Sequence, residues 1–208
     1  MDLSFILLKV KGCFKFPTMK LLKDCIQSQI TLSHPELEDI ANHFYPLELK
    51  EGDYFLKVGQ YCQQLAFVQQ GVLRLYHTID GNEITHWIAN APSFITAVTS
   101  FVFEQASYWN IQALSDCQLM VINRKDHVKM LEKYSRWLEF DNLALARAYA
   151  LQEERMFSHL HMTAEERYLK LLKENPTLFN QVQLRYIASM LGIKPETLSR
   201  LRKKLTKA

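Results

Sequence analysis

Apolar positions along the chain change period twice. Over residues 19–44 they recur with helical spacing, with Leu21, Leu22, Cys25 and Ile26 on one face. Ser33 ahead of His34-Pro35-Glu36 offers an N-cap, a proline in the first turn and an acid three residues on, which predicts a helix start. From Tyr45 to about Asn123 the runs become short or alternating. Turn signals separate them: Glu51-Gly52-Asp53, Gly59-Gln60, Gln70-Gly71, Asp80-Gly81-Asn82 and Asn90-Ala91-Pro92. The clearest strands are 65–70, 72–77, 83–88, 108–113 and 119–123, a spacing that predicts an antiparallel sandwich or barrel. Asp80-Gly81 predicts a tight hairpin.

After Arg124 the period is helical again. Residues 136–159 hold no Gly or Pro, and Leu138, Leu145, Tyr149, Gln152 and Met156 recur at spacings of three, four or seven. One long helix is predicted, its seam pairing with a second copy or packing on the chain's own barrel; the homodimer is the preferred expectation. Thr163-Ala164-Glu165-Glu166 is a capping box that opens a helix with an apolar face of Tyr168, Leu169, Leu171 and Leu172. Asn175-Pro176 ends it. The chain thus divides into a strand-rich domain with flanking helices at 19–134, a long helix at 135–160 and a terminal helical domain at 161–208. Strands followed by helices predict an α+β fold.

Composition sets broad limits. Apolar residues are 48% and charged residues 23% of the 208, ordinary for a soluble domain. Cys13, Cys25, Cys62 and Cys117 form no C-x-x-C pair, which argues against zinc, an iron–sulfur cluster or a disulfide framework and for reduced thiols in a cytoplasm. No run reaches the length of a membrane span, so no membrane partner is expected. Phe5, Ile6, Leu7 and Leu8 are followed by no A-x-A-like cleavage site, and Met19 fits a natural start. Residues 1–18 are therefore expected to be an appendage.

Charge is uneven. From Thr177 onward, Arg185, Lys194, Arg200, Arg202, Lys203, Lys204 and Lys207 face Glu196 alone, a local charge of +6 within an overall +3. A basic terminal module on an acidic body is the footprint of a polyanion binder. Residues 183–204 specify how it would bind. Ala188 stands four residues before Gly192, with Ile187, Leu191, Ile193, Leu198 and Leu201 apolar around them. A helix-turn-helix needs a small residue where its helices cross and one tolerant of positive φ in the turn, and Ala188 and Gly192 supply these. Pro195 suits the first turn of the second helix. Lys194, Glu196, Thr197, Ser199, Arg200, Lys203 and Lys204 then point outward. Glu196 and Arg200 are placed to read base edges, as acceptor for cytosine N4 and donor to guanine, and the later lysines to meet phosphates.

The order of elements over about residues 20–208 resembles the Crp/Fnr family of bacterial regulators. The resemblance rests on Glu51-Gly52-Asp53, Gly59, the Phe67-Val68-x-x-Gly71 step and Pro195-Glu196-Thr197-Leu198-Ser199-Arg200. It implies a jelly-roll β-roll of the cyclic-nucleotide-binding kind, a long dimerisation helix and a winged-helix-like DNA-binding domain. It further implies a cytoplasmic homodimer on double-stranded DNA, with RNA polymerase as a further partner. Pro195 stands where the family's recognition helix has an arginine, and the sequence after it leaves no room for a β-hairpin wing.

The effector site departs from the family pattern. Cyclic AMP binders of this family carry Gly-Glu and then Arg-Ser; here Thr96-Ala97 and Ser107-Tyr108 hold those positions. Cyclic AMP is therefore not the expected effector, and no cofactor is assigned. Thr96, Thr99, Ser100, Ser107, Tyr108, Tyr149 and Gln152 are candidates either to line the equivalent pocket or to fill it as packing. His77 and His86 are more simply satisfied or exposed side chains than haem ligands. A cupin-like enzyme would need a His-x-His and a Glu on barrel strands, and the sole His-x-His, His159-Leu160-His161, follows the long helix. No catalytic or metal-binding residue is assigned; the remaining rival is a ligand-binding or scaffold roll whose basic C-terminus is incidental.

Overall fold

The computed structural model describes residues 19–205, so the expected appendage at 1–18, with Cys13, lies outside the described residues. Helices α1 (Met19–Gln27) and α2 (His34–Asn42) precede eight strands. These are β1 (Tyr45–Leu49), β2 (Tyr54–Leu56), β3 (Gln64–Gln70), β4 (Val72–Ile79), β5 (Asn82–Asn90), β6 (Ser93–Ile95), β7 (Asn110–Ala113) and β8 (Cys117–Asn123). Helix α3 (Val98–Phe103) sits between β6 and β7. Then follow α4 (Arg124–Lys133), α5 (Ser135–His161), α6 (Ala164–Glu174), α7 (Leu178–Gln181), α8 (Leu184–Met190) and α9 (Pro195–Leu205).

All strand pairs are antiparallel, in two sheets ordered β1-β8-β3-β6 and β2-β7-β4-β5. Period-two alternation divides the core between their two faces. On β3 and β8, Ala66, Val68, Leu119 and Val121 point into the roll with Leu73, Leu75 and Ile111. Phe67, Met120 and Ile122 point the other way, onto Leu22, Ile26, Ile40, Phe44, Trp137 and Phe140. Strands covered on both faces need unbroken apolar runs, and β3 and β8 have them.

Local chemistry explains the joints. Ile79 pairs with Asn82, leaving Asp80 and Gly81 as a two-residue loop with φ of 50° and 76°, the primed hairpin turn that matches strand twist. The Glu36 carboxylate accepts from the Ser33 N–H at 2.9 Å and its hydroxyl at 2.6 Å, which starts α2 and holds the carboxyl below its usual pKa. Thr163 and Glu166 form the same capping box on α6.

As the Ser33 cap predicts, a turn at 28–33 separates α1 from α2. Three details differ from the sequence expectation. Helix α3 was not anticipated. Tyr108 precedes β7 rather than opening it; its carbonyl and ring engage the His77 side chain of β4 rather than that strand's backbone. Leu169 is exposed, while Tyr168 is buried with Leu171 and Leu172 packed beside it; an eleven-residue helix has room for a narrower apolar face than its composition suggested.

Candidate nucleic-acid interface and effector region

In the C-terminal unit helix α8 ends by backbone chemistry. Gly192 adopts φ of +68°; its N–H donates to the Ser189 carbonyl at 3.1 Å and the Ile193 N–H donates to the Ala188 carbonyl at 3.0 Å. This pair of bonds is a Schellman closure, and it turns the chain sharply into α9. The Lys194 carbonyl then accepts from the Thr197 and Leu198 N–H groups at 3.0 and 3.2 Å. Ile187, Ala188, Leu191 and Leu198 are buried, with Ile193 and Leu201 packed against them.

The outward positions lie as their spacing requires. Lys194, Glu196, Ser199, Arg200, Lys203 and Lys204 are exposed and Thr197 is half-buried. Lys204 is not free: its ammonium lies 2.8 Å from the Glu165 carboxylate of α6. On α5, Leu138, Leu145, Tyr149 and Met156 are exposed, Gln152 is half-buried, and the still more exposed Leu160 extends their stripe by a turn.

The candidate effector residues divide. Thr96 Oγ1 donates to the Gln64 carbonyl at 2.9 Å and lies 3.2 Å from Cys62 Sγ. Ser100 Oγ accepts from the Cys62 N–H at 2.8 Å and donates to the Gln105 carbonyl at 2.5 Å. Ser107 Oγ donates to the Trp109 carbonyl at 2.8 Å and accepts from its N–H at 3.0 Å. All three hydroxyls therefore have internal partners, and Ala97 is buried in the roll core. Thr99 and Tyr108 are exposed. Trp109 packs on the core with its ring stacked on His86 at 4.5 Å, so aromatic side chains occupy the roll beside Leu75 and Ile111. Burial pushes the His86 imidazole down to about 4, with Arg155 adding repulsion, so it is neutral at pH 7.

A half-open cavity of about 410 Å³ lies nearby, lined by Phe55, Leu56, Gln60, Tyr61, Cys62, Gln63 and Gln64. Its walls include none of the seven candidates, although Thr96, Ser100 and Ser107 bond to the loop that forms it. The sequence gives little signal for this cavity, since glutamines in a loop show no periodicity.

Comparison with known proteins agrees with this architecture. Residues 46–134 match the cyclic nucleotide-binding domain. No curated protein matches the chain in sequence. Among solved structures, the chain is similar to the catabolite activator protein of Thermus thermophilus, at 23% identity and a TM-score of 0.53, over 85% of this chain and 84% of that one. FixK2 of Bradyrhizobium japonicum is 16% identical with a TM-score of 0.67, over 79% of this chain and 85% of that one. The c-di-GMP-responsive global regulator CLP of Xanthomonas campestris is 14% identical with a TM-score of 0.67, over 84% and 92%. The shared feature is the fold, an antiparallel roll followed by helices.

Proposed function

We propose that the chain is a homodimeric, sequence-specific DNA-binding transcription regulator of the Crp/Fnr type. The observation that carries the reading is the Schellman-closed pair α8–α9, whose second helix exposes Glu196 and Arg200 one turn apart with Lys203 beyond them. Glu196 and Arg200 are the base readers, and Lys194, Thr197, Ser199, Lys203 and Lys204 position the backbone. The functional units follow the sequence division: roll to 134, dimer helix 135–160, DNA-binding unit from 161. RNA polymerase is the further partner the resemblance implies, and the cytoplasm the compartment. The solved neighbours that are regulators by name favour this reading over an incidental basic tail.

The dimer is proposed to join along α5, where Leu138, Leu145, Tyr149, Met156 and Leu160 form an apolar stripe with Gln152 at its margin. Light scattering at micromolar concentration is expected to give twice the chain mass of 24.4 kDa. Tyr149→Glu, which places a charge on the stripe, is expected to give the monomer. A wild-type monomer would refute the joint.

Cyclic AMP is proposed not to be the effector. A buried cyclic phosphate needs a paired cation, and the expected position holds Ser107, whose hydroxyl is already bonded to Trp109. A ligand at a hundred times its Kd adds about 2.7 kcal/mol to stability, worth several degrees in Tm. Saturating cyclic AMP is expected to leave Tm unchanged. A rise of several degrees, abolished by Ser107→Trp, would overturn this. If the roll takes another small molecule, Thr96, Thr99, Ser100, Tyr108, Tyr149 and Gln152 are the residues to vary first.

A further inference from the structure

The loop that joins β2 to β3 is fixed by bonds from its backbone to the elements around it. The Gly59 N–H donates to the Ser107 carbonyl at 2.8 Å, and the Ser107 N–H donates in return to the Gln60 carbonyl at 2.7 Å. The Val58 N–H donates to Asn110 Oδ1 at 3.0 Å and the Lys57 N–H to Gln60 Oε1 at 3.0 Å. Farther along, the Cys62 N–H donates to Ser100 Oγ at 2.8 Å, and the Gln63 carbonyl accepts from the Arg124 N–H at 2.8 Å. The Gln64 carbonyl accepts from Thr96 Oγ1 at 2.9 Å. The cavity of about 410 Å³ that this loop forms with the end of β2 is therefore a preformed shape, and a molecule binding there need not order the chain.

Size, charge and wall chemistry define what it accepts. Small-molecule sites span about 300–1,000 Å³, so the volume suffices. None of the residues that line it is charged. Arg124, whose N–H meets Gln63, has its guanidinium committed to the Phe101 carbonyl at 2.7 Å and to Glu104 at 2.9 Å. An ion entering would lose hydration and find no counter-charge, so a neutral occupant is favoured. The walls combine Phe55, Leu56 and Tyr61 with the amides of Gln60 and Gln63. Among the described residues neither the Gln63 amide nor the Tyr61 hydroxyl bonds to protein. An amide both donates and accepts, and the Tyr61 ring, 59% exposed, offers a flat apolar face. Further apolar surface lies on the two elements that the Ser100–Cys62 bond ties together: Val58 of the loop and Val98, Val102 and Phe103 of α3 are all exposed.

We propose that this cavity is a binding site for an uncharged, amphipathic small molecule, with an apolar or aromatic body against Phe55, Leu56 and Tyr61 and a neutral hydrogen-bonding group on the Gln63 amide. The site is separate from the roll interior, where His77 stacks on Tyr108 and His86 on Trp109; none of these four lines the cavity. It does not depend on whether α9 binds DNA.

The test uses the full-length protein and N-phenyl-naphthylamine, a neutral dye that brightens on leaving water, beside its sulfonated analogue anilinonaphthalenesulfonate. Saturable binding of one neutral dye per chain is expected, with the sulfonate at least about tenfold weaker. Gln63→Trp, at an exposed position, fills the cavity and is expected to weaken dye binding at least about tenfold with Tm unchanged. Tyr61→Ala removes the stacking face and is expected to weaken it about threefold; it decides the matter if Gln63→Trp folds poorly. Tyr149→Glu controls for dye adsorbed on the α5 stripe and is expected to bind as the wild type does. Absence of saturable binding to the wild type would overturn the site. Unchanged affinity in both cavity variants would overturn its location, as would loss of binding in Tyr149→Glu with the cavity variants unaffected. Equal or tighter binding of the sulfonate would overturn the neutral class.

Discussion

Arg200→Ala is expected to weaken operator binding by about 1–3 kcal/mol per half-site, and by about twice that for a dimer engaged on both. Arg200 lies one turn beyond Glu196 on the exposed side of α9, and among the described residues no carboxylate pairs with it. Its planar fork is free to bind guanine O6 and N7 together, which a lysine cannot imitate. The loss should concentrate on one base position, so operators altered there should bind wild type and variant alike. Lys203→Ala should instead weaken binding to every sequence and reduce the salt slope by about one. Lys204 differs from its neighbour because Glu165 already holds its ammonium, so Lys204→Ala is expected to cost less than Lys203→Ala. Fluorescence anisotropy over a panel of single-base operator variants measures all three. Equal, sequence-independent losses for Arg200 and Lys203 would show that Arg200 does not read a base.

Trp137→Ala is expected to destabilise the fold by about 3–5 kcal/mol, a large share of the stability of a chain this size. Trp137 is fully buried at the start of α5. Its ring stacks on Phe140 at 4.8 Å and 9°, and meets Phe44 edge-on at 6.4 Å and His127 at 5.8 Å. It thereby fastens the long helix to the α2–β1 connection and to α4 at the outer face of β3 and β8. Deleting the indole removes its transfer energy and leaves a cavity that four surrounding elements prevent from collapsing. Trp137→Phe keeps most of the volume and should cost clearly less. Urea unfolding monitored by circular dichroism checks the pair; a loss below about 1 kcal/mol for the alanine variant would show that the joint is not tightly packed.

The parts of the fold legible in the sequence are those fixed by contacts close along the chain. Asp80-Gly81 forms its turn because those two residues tolerate positive φ, and both show it. Ser33–Glu36 and Thr163–Glu166 cap helices from three residues away. Ala188 and Gly192 closed the helix-turn-helix for the same reason, since each bond of the closure spans five residues or fewer. Helix α3 was missed because its six residues, Val98 to Phe103, include two valines, begin from Ala97 without a side-chain cap and leave Val98, Val102 and Phe103 exposed. Val98, Phe101 and Val102 do fall at helical spacing, but six residues are too few for that pattern to stand out from a short strand.

The docking of α8 and α5 on β5 is illegible for a different reason. Ser189 bonds to backbone 104 and 106 residues away, and Arg155 reaches carbonyls 35 and 69 residues distant. Backbone partners leave no trace in composition. The effector candidates fall between these cases: Thr96, Ser100 and Ser107 all have internal partners, and whether a hydroxyl faces a ligand or a neighbouring carbonyl depends on a rotamer that sequence does not specify.

The central claim is that α8–α9 binds DNA and reads its sequence. Titration of the wild-type protein onto its own upstream duplex, and onto a shuffled duplex of the same composition, at a series of salt concentrations tests it most directly. The account predicts binding to the first at least about a thousandfold tighter than to the second. Affinity for both should fall steeply as salt rises. Equal affinity for the two duplexes, or no binding to either at low salt, would contradict it.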